Sequence, residues 1–367
     1  MKIIITSSNR SHLLDVAREM YALNNNVKFI SFTPKWRLKR YNIPQDITIS
    51  VFWFCLPGII LSKLFPSDIT REILRLLLDY STSLFIRECD VFICQSPHFK
   101  HSMRIAREKY HAKIILDRGA NHVRFYNQQL IKTHARPMRE WYMKFDESQY
   151  EYADYILLAS KFCKNTFIKY NIPEKKLFNN PYGVNTENFY PTELAQQNYD
   201  IIYVGNLSKN KGSDILIQAC LNLNLSLLHV GAIVDVLFPN NNKFKHIDPV
   251  PEKQLIEYYK QAKIFSMPSH NEGFGLVLIQ AAACGLPIVT TEFTGGPDLK
   301  EILNDESHIF IINQCNIELL EKALLNALRI ASTQKGIRDY ASNIHELFSW
   351  ENYAQRLHQF LLQIKQQ

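Results

Sequence analysis

Short apolar runs alternate with amphipathic segments along the chain. In the first half, the runs with the length and composition of buried strands are KIIIT (2–6), VKFISF (27–32), DVFICQ (90–95) and KIILD (113–117). The segments 11–23 and 68–89 have helical apolar spacing, and 152–170 contains a further strand and helix. This alternation predicts an α/β fold with an open parallel sheet and helices on both of its faces.

The second half repeats the same alternation. Its predicted strands are 199–207, 226–232, 263–269, 286–291 and 310–313, and its predicted helices include 212–223, 251–262 and 348–364. The polar, non-periodic stretch 190–200 separates the halves. We therefore predict two doubly wound, Rossmann-like domains that face each other across a cleft. The first is 1–193, the second is 194–345, and 346–367 is a terminal helix that crosses back to the first domain.

Composition agrees with a soluble globular protein, at 46% apolar and 21% charged residues. Residues 1–193 carry 28 basic and 18 acidic side chains, whereas 194–367 carry 14 and 17, so the balances are +10 and −3. This asymmetry indicates an anionic partner for the first half, either a membrane surface or an acidic ligand. No nucleic-acid-binding signature is present, and the basic excess is spread along the chain, so nucleic acid is not the expected partner.

The cysteines and the first residues indicate a cytoplasmic protein. The seven cysteines are scattered without a Cys-x-x-Cys spacing, which predicts reduced thiols and neither a disulfide framework nor a zinc site. The opening MKIIITSSNR has too short an apolar run for a signal peptide and is expected to be a strand.

The segment 47–65 is apolar, but its uninterrupted run is shorter than the roughly 20 residues of a membrane-spanning helix. The basic, aromatic KWRLKRY (35–41) lies just upstream. Two interpretations remain. The segment is either a core helix beside a solvated basic loop, or an interfacial anchor on anionic lipid at the inner face of a membrane.

The stretch PSHNEGFGLVLIQAAACGLP (268–287) has the pattern strand, loop, helix. A helix from about Phe274 would present free N–H groups at the carboxyl end of the sheet, where ligands of such folds bind. Glu272 can accept hydrogen bonds from hydroxyl groups, and Gln280, about two turns further on, lies near the same helix face. The alternative is a helix cap with tight packing and no ligand.

The stretch GNLSKNKGSD (205–214) is again a strand, a glycine turn and a helix start. Lys211 beside free N–H groups is suited to phosphate, with Lys209 as a second cation. The loop has too few glycines for a Walker A motif, and no Gly-x-Gly-x-x-Gly is present. A basic surface turn is the alternative.

Together the two stretches resemble the retaining GT-B glycosyltransferases of the group 1 class, glycosyltransferase family 4. The family pattern P-S-x-x-E-G-F-G-L-x-x-x-E-A-x-A-x-G-x-P-V-V is nearly complete here as PSHNEGFGLVLIQAAACGLPIV. Further matches are SKFCKNTF (160–167), YGVNTENFYP (182–191), GGPDLKEIL (295–303) and the terminal FSWENYAQRL. The resemblance covers about 150–355 and extends to 1–149 only in layout. It implies transfer of a sugar from a nucleotide-diphospho-sugar to a glycan or lipid-linked glycan, in cell-surface polysaccharide or lipopolysaccharide biosynthesis.

The resemblance also implies roles for individual residues. Glu272 would hold hydroxyls of the donor sugar, Lys211 would neutralise the diphosphate leaving group, and Gln280 would hold the nucleotide ribose. The remaining donor-binding positions are Gly205, Asn206, Lys209, Gly273, Phe274, Gly275 and Leu276. Two positions depart from the family, which has arginine where this chain has Asn206 and glutamate where it has Gln280.

For the first domain, the resemblance implies a histidine near a strand end that contacts the donor sugar. ILDRGANHVRFY (115–126) supplies Asp117, Arg118 and His122, and we predict His122 as the catalytic candidate. A lone histidine in a loop is otherwise a surface residue. The chain has no Asp-x-Asp, so metal-independent transfer without a bound cofactor is expected. Two rival functions stay open, a nucleotide-sugar epimerase of the same fold and a non-catalytic member that binds nucleotide or a partner.

Overall fold

A computed structural model describes residues 1–9, 11–191, 193, 197–338, 340–341 and 343–365. The first half contains the strands β1 (Lys2–Ser7), β2 (Asn26–Ser31), β3 (Thr48–Ser50), β4 (Val91–Gln95), β5 (Lys113–Asp117), β6 (Tyr155–Leu158) and β7 (Leu177–Asn179). They form one parallel sheet in the order β3-β2-β1-β4-β5-β6-β7. Its helices are α1 (Leu13–Ala22), α2 (Lys35–Leu38), α3 (Phe52–Leu64), α4 (Asp68–Ser83), α5 (Lys100–Tyr110), α6 (Val123–Lys132), α7 (Glu140–Tyr152) and α8 (Lys161–Lys169).

The second half contains the strands β8 (Tyr199–Val204), β9 (Leu227–Val230), β10 (Phe244–Ile247), β11 (Ala262–Met267), β12 (Ile288–Thr291) and β13 (Ile309–Ile312). They form a second parallel sheet in the order β10-β9-β8-β11-β12-β13. Its helices are α9 (Ser213–Asn222), α10 (Glu252–Tyr259), α11 (Leu276–Ala283), α12 (Gly296–Leu303), α13 (Ile317–Thr333), α14 (Ile344–Leu347) and α15 (Trp350–Lys365). The prediction of two doubly wound parallel domains is confirmed.

Both faces of the first sheet are covered, which explains why its strands are nearly continuous apolar runs. Ile3 and Ile5 on one face of β1 belong to the cluster that includes residues of α1 and α15. Ile4 on the opposite face belongs to the cluster that includes residues of α4, α5 and α7. Helix α15 therefore packs on the first domain, as predicted, and the aromatic rings of Phe360 and Phe178 stack there at 4.0 Å.

The predicted boundary between the two domains falls between β7 and β8, next to residues 194–196, which lie outside the described residues. The exact division at 193 and 345 stays a prediction.

The burial of helix α3 tests the core-helix interpretation of the segment 47–65. Only Cys55 and Gly58 of this helix are buried, while Trp53 is 77% exposed and Leu64 is 67% exposed. A core helix would bury these large apolar side chains, so α3 is a surface helix. Among the helices that the structure describes, none is long and apolar enough to cross a membrane.

Candidate functional site

The site lies where the strand order of the second sheet reverses direction. Strands β8 and β11 are neighbours there, and their following connections leave toward opposite sides of the sheet. Ligands of open α/β sheets bind in the crevice outside the carboxyl ends of such a strand pair. Two loops form this crevice, the lysine loop (205–212) after β8 and the glutamate loop (268–275) after β11.

The two loops meet through an ion pair. The Lys211 ammonium group donates a hydrogen bond to the Glu272 carboxylate, although 61 positions separate them in the sequence. Their side chains are 25% and 21% exposed, so both remain accessible from the cleft. The structure therefore brings together Lys211, which the resemblance assigns to the leaving group, and Glu272, which it assigns to the donor sugar.

Gly212 permits this approach of the loops. It precedes α9 with a φ of +65°, in the left-handed region that favours glycine. A Cβ atom on Gly212 would lie 2.1 Å from the carbonyl oxygen of Pro268 in the glutamate loop. Any larger residue would therefore push the loops apart and separate Lys211 from Glu272.

Backbone hydrogen bonds fix the glutamate loop from both sides. The His270 N–H donates to the Asn210 carbonyl at 3.1 Å, and the Glu272 N–H donates to the Phe293 carbonyl at 3.0 Å. The Thr291 hydroxyl donates to the Ser269 carbonyl at 2.5 Å. The backbone that carries Glu272 is thus held in place before any ligand binds.

The lysine loop presents a weaker cationic surface than the family pattern implies. Asn206 is exposed where the family has arginine, and its backbone carbonyl accepts a hydrogen bond from the Tyr203 hydroxyl at 2.6 Å. The Lys209 N–H donates to Asp235 at 2.9 Å, which holds the Lys209 backbone at the start of the short 3₁₀ turn Lys209–Lys211. Gly205, with a φ of +141°, begins this loop.

Helix α11 begins at Leu276 and not at Phe274, because Gly275 has a φ of +90° and cannot continue the helix backward. Gly273 and Phe274 are therefore loop residues, and Phe274 is fully buried. Gln280 is half-buried, and its Oε1 atom accepts a hydrogen bond from the buried Tyr259 hydroxyl at 3.2 Å.

A first-domain loop contacts the glutamate loop directly. The Asn121 amide donates to the side-chain oxygen of Asn271 and, at 3.3 Å, to the backbone carbonyl of Glu272. The Ser160 hydroxyl donates to the Gly273 carbonyl at 2.5 Å. Sequence reasoning missed Asn121 because it considered only the titratable residues of this loop, namely Asp117, Arg118 and His122. The signal available was that the whole loop follows β5 at the carboxyl edge of the sheet.

His122 lies in a different environment from the loops of the second domain. It is 2% exposed, its ring stacks on Tyr170 at 4.5 Å, and its Nδ1 atom accepts from the Arg124 N–H at 3.3 Å. Burial lowers the pKa of His122 to about 4, so its imidazole is neutral at pH 7. This arrangement is that of a helix cap inside the first domain. A direct catalytic role for His122 stays a prediction.

The other two candidates from the same loop have partners within the first domain. Asp117 is paired with His12 at 3.1 Å, and Arg118 is paired with the fully buried Asp146 at 3.1 Å. The His12 ring also lies 4.5 Å from that of Tyr182. These pairs hold the carboxyl edge of the first sheet together. Within the part of the chain that the structure describes, no group of three or more His, Cys, Asp or Glu residues is arranged to hold a metal ion.

The fold and this site define a class, namely a GT-B protein with two parallel α/β domains and a lysine–carboxylate pair at the switch point of the second. Comparison with known proteins shows what the chain is similar to. Residues 184–344, less than half of the chain, match the family model described as glycosyl transferases group 1. The fold of the whole chain is the GT-B fold of structures such as sucrose-phosphate synthase.

One relative is the capsular polysaccharide biosynthesis glycosyltransferase CapM of Staphylococcus aureus, 30% identical over 192 residues, which are 46% of this chain and 48% of CapM. The chain thus spans about half the length of such curated relatives. Sucrose-phosphate synthase from Thermosynechococcus elongatus has a similar fold, with a TM-score of 0.71 and 16% identity over 99% of this chain and 98% of that one. Anabaena HepE, solved in complex with UDP and glucose, gives a TM-score of 0.67 and 16% identity over 99% and 100%.

Proposed function

We propose that this protein transfers a sugar, with retention and without a metal ion, from a nucleotide-diphospho-sugar to a glycan or lipid-linked glycan acceptor. The observation that carries the proposal is the Lys211–Glu272 pair at the switch point of the second sheet. When a donor binds, its diphosphate competes with the Glu272 carboxylate for the Lys211 ammonium group. The freed carboxylate then accepts hydrogen bonds from hydroxyls of the donor sugar.

The chemistry follows from the charge that develops on the leaving group. Cleavage of the bond between the anomeric carbon and oxygen leaves an oxocarbenium-like centre and a nucleoside diphosphate. Once the diphosphate has displaced Glu272, the Lys211 ammonium group and the first N–H groups of α11 stabilise its negative charge electrostatically. The Asn121 contact holds the first domain against the glutamate loop, so the acceptor side meets the sugar at a defined distance.

The comparisons guide the choice of donor and acceptor. The structure of HepE contains UDP and glucose, which makes UDP-sugars the first donors to test. CapM acts in capsular polysaccharide biosynthesis, which supports a growing cell-surface glycan as the acceptor class. We place the reaction in the cytoplasm, at the inner face of the cell membrane, where such acceptors are extended.

A donor panel tests the function. UDP-, GDP-, dTDP- and ADP-sugars are titrated by calorimetry, and the best donor is incubated with lipid-linked glycan acceptors in EDTA. Transfer with an unchanged anomeric configuration supports the proposal. Conversion of the donor to an epimer without acceptor would instead support an epimerase. Binding without any turnover would support the non-catalytic alternative, which Asn206 and Gln280 favour.

Replacing Gln280 with glutamate is expected to tighten donor binding. The carboxylate would still accept the Tyr259 hydroxyl, and its second oxygen would accept a ribose hydroxyl with a charge-assisted bond. Because such a bond is about twice as strong as a neutral one, the dissociation constant should fall by about threefold to tenfold. Calorimetry measures the change, and Gln218→Glu, an exposed site on α9, is the control for added negative charge. Equal affinities for the Gln280→Glu variant and the native protein would contradict the ribose assignment.

We also propose that the first domain binds an anionic membrane surface through α3 and α4. Large apolar side chains of these helices and the turn between them form what we call the hairpin face. Its members are Trp53, Phe54, Ile60, Leu64, Phe65, Ile69, Ile73, Leu76, Tyr80 and Leu84, each at least 36% exposed. The exposed basic residues Lys35, Arg37, Lys39, Arg40 and Lys63 complement the charge of anionic lipids. Apolar insertion together with basic attraction is the pattern of an interfacial anchor.

The double variant Trp53→Ser/Leu64→Ser is expected to bind vesicles of phosphatidylcholine and phosphatidylglycerol at least about 10²-fold more weakly, because each lost insertion removes on the order of 1.5–3 kcal/mol. Co-sedimentation measures this. The matched control is Val234→Ser/Leu237→Ser, which alters two exposed apolar residues of the second domain. If both double variants bind vesicles as the native protein does, the hairpin face is not the membrane anchor.

A further inference from the structure

A cavity lies in the first domain, between the N-terminal halves of α4 and α7. Its volume is about 420 Å³, within the range of about 300–1,000 Å³ for small-molecule sites. Four arginines line it, namely Arg71, Arg75, Arg136 and Arg139. No residue of the lysine loop or the glutamate loop contributes to this lining, so the cavity is separate from the donor site.

Arg75 is held rigidly in the cavity wall. Its side chain is 8% exposed, and its guanidinium group donates two hydrogen bonds to the Glu72 carboxylate, at 2.8 and 2.5 Å. The same group lies 4.1 Å above the ring of Phe145. His98 lines the cavity too, and burial, helped by the positive charges of Arg75 and Arg118, lowers its pKa to about 4. His98 is therefore neutral at pH 7, and the positive charge of the cavity comes from the arginines.

The rim of the cavity carries more positive charge than its carboxylates neutralise. Asp68 is the common partner of Arg139 at 2.9 Å, Arg136 at 3.2 Å and Arg71 at 3.9 Å. These three arginine side chains are 58%, 75% and 71% exposed, so they can turn toward a ligand. Four arginines face two carboxylates, Asp68 and Glu72, which leaves a net charge of +2. Guanidinium groups bind phosphate oxygens bidentately, so the lining suits a phosphate group.

Hydrogen bonds fix the positions of α4 and α7 along the strand direction of the first sheet. The Asp79 carboxylate in α4 accepts from the N–H groups of His101 and Ser102, each at 2.8 Å, where α5 begins after β4. The Asp146 carboxylate in α7 accepts from the Ser96 hydroxyl at 2.6 Å, directly after β4. Both contacts lie at the carboxyl edge of the sheet, the edge at which Asn121 meets the second domain.

The cavity therefore lies beyond that edge. Asp68 precedes Asp79 by eleven residues in α4, and Glu140 precedes Asp146 by six in α7. At 1.5 Å per residue these separations are about 16.5 Å and about 9 Å along the two helices. On α4 the cavity residues Asp68 and Glu72 adjoin the stripe of the hairpin face that includes Ile69 and Leu76. A lipid lying along this stripe would have its headgroup at the cavity.

We propose that this cavity binds the phosphate or diphosphate group of a lipid-linked acceptor, whose hydrocarbon chain lies in the bilayer beside the hairpin face. This inference rests on the proposed function, since it assigns the acceptor of the same reaction. The arginines would anchor the phosphate at the membrane surface, while the attached sugar extends along the carboxyl edge toward the donor. The cavity would thus recognise the charged phosphate group that links the lipid to the glycan, and not the glycan alone.

The test uses the full chain and the variant Arg136→Gln/Arg139→Gln, which changes only exposed side chains. Inorganic diphosphate is titrated by calorimetry in the presence of a saturating nucleoside diphosphate, which occupies the donor site. Binding is also compared for phosphatidylcholine vesicles that contain a polyprenyl diphosphate or, at matched charge, phosphatidylglycerol. We expect the variant to lose about tenfold in affinity per arginine for diphosphate and to lose the preference for polyprenyl diphosphate. The control Arg104→Gln/Arg329→Gln removes two exposed arginines outside the cavity. It should keep both the affinity for diphosphate and the preference for polyprenyl diphosphate.

Equal diphosphate affinity in the native protein and the cavity variant would overturn the proposal. Binding of free diphosphate without preference for polyprenyl diphosphate vesicles would assign the cavity to a soluble phosphate and overturn the lipid source. Donor binding, measured with the same proteins without the nucleoside diphosphate, separates this inference from the proposed function. If the native protein binds no nucleotide sugar, the function fails even where diphosphate still binds at the cavity. If donor binding persists and diphosphate binding is absent, only the acceptor assignment fails.

Discussion

Replacing Lys211 with methionine is expected to lower the rate of sugar transfer by about 10²–10³-fold, the effect of removing one preorganised group that stabilises a developing negative charge. Methionine is unbranched like lysine and only one atom shorter, but it carries no charge, so the diphosphate loses its cation. The Lys211–Glu272 pair is partly exposed, so its loss should change the free energy of unfolding by less than about 1 kcal/mol. Rates with the donor selected by the panel and thermal unfolding curves measure the two effects separately.

The matched control for this variant is Lys322→Met, an exposed lysine on α13 of the same domain. It should leave both transfer and donor binding at their native values. Glu272→Gln provides a second comparison, because it keeps the size of the side chain and weakens the hydrogen bonds to sugar hydroxyls. Full activity of Lys211→Met would mean that the lysine loop does not hold the leaving group, and the proposed mechanism would be wrong.

Gly273→Ala is expected to cause the second large loss, through the contact between the domains. A Cβ atom at Gly273 would lie 2.1 Å from the carbonyl oxygen of Gly119 and 3.1 Å from the Ala120 Cα atom. These are backbone atoms of the first domain and cannot rotate away, so the contact must open. The hydrogen bond from Ser160 to the Gly273 carbonyl would then be lost as well. A displacement on the order of 1 Å at a reacting centre costs about 10²-fold in rate, and we expect at least that loss of transfer.

Gly336→Ala separates this effect from the general consequence of adding a methyl group. Nothing lies within 4 Å of its added Cβ, and its φ of +69° adds only local strain, on the order of 1 kcal/mol. Gly336→Ala should therefore lose some stability and keep its activity. Small-angle scattering should show a larger radius of gyration for Gly273→Ala alone. Native activity and native size of Gly273→Ala would show that the contact between the domains is not needed for transfer.

Much of the donor half of the site could be predicted from the sequence because its signals are local. Glu272 and Lys211 each follow a strand and precede a helix within about ten residues, so their position at the carboxyl edge depends only on the order of elements along the chain. The structure starts α11 two residues later than the sequence predicts, because the positive φ of Gly275 cannot be inferred from the spacing of apolar residues. A motif therefore places a residue at the correct edge of a sheet more reliably than at the correct turn of a helix.

The first domain was harder to interpret, for reasons that particular residues make clear. His122 and Asn121 are neighbours in one loop, yet Asn121 contacts the second domain and His122 is enclosed by aromatic rings. The direction of each side chain is set by the backbone turn at the start of α6, which the residue types do not reveal. Helix α3 is apolar around most of its circumference, a pattern that normally predicts burial. Its exposure depends on the projection of α3 and α4 beyond the sheet, a tertiary property.

By itself the sequence determined the alternation of strands and helices, the two parallel domains and the two loops that carry Lys211 and Glu272. These follow from local periodicity, because a buried strand and an amphipathic helix each require a repeating apolar pattern. The tertiary structure alone decided which side chains meet. The Lys211–Glu272 pair, the Asn121 contact and the arginine cavity all join segments far apart in the chain, and the exposure of the hairpin face depends on what packs against it. Such contacts depend on strand order and helix projection, and short-range patterns carry no information about either.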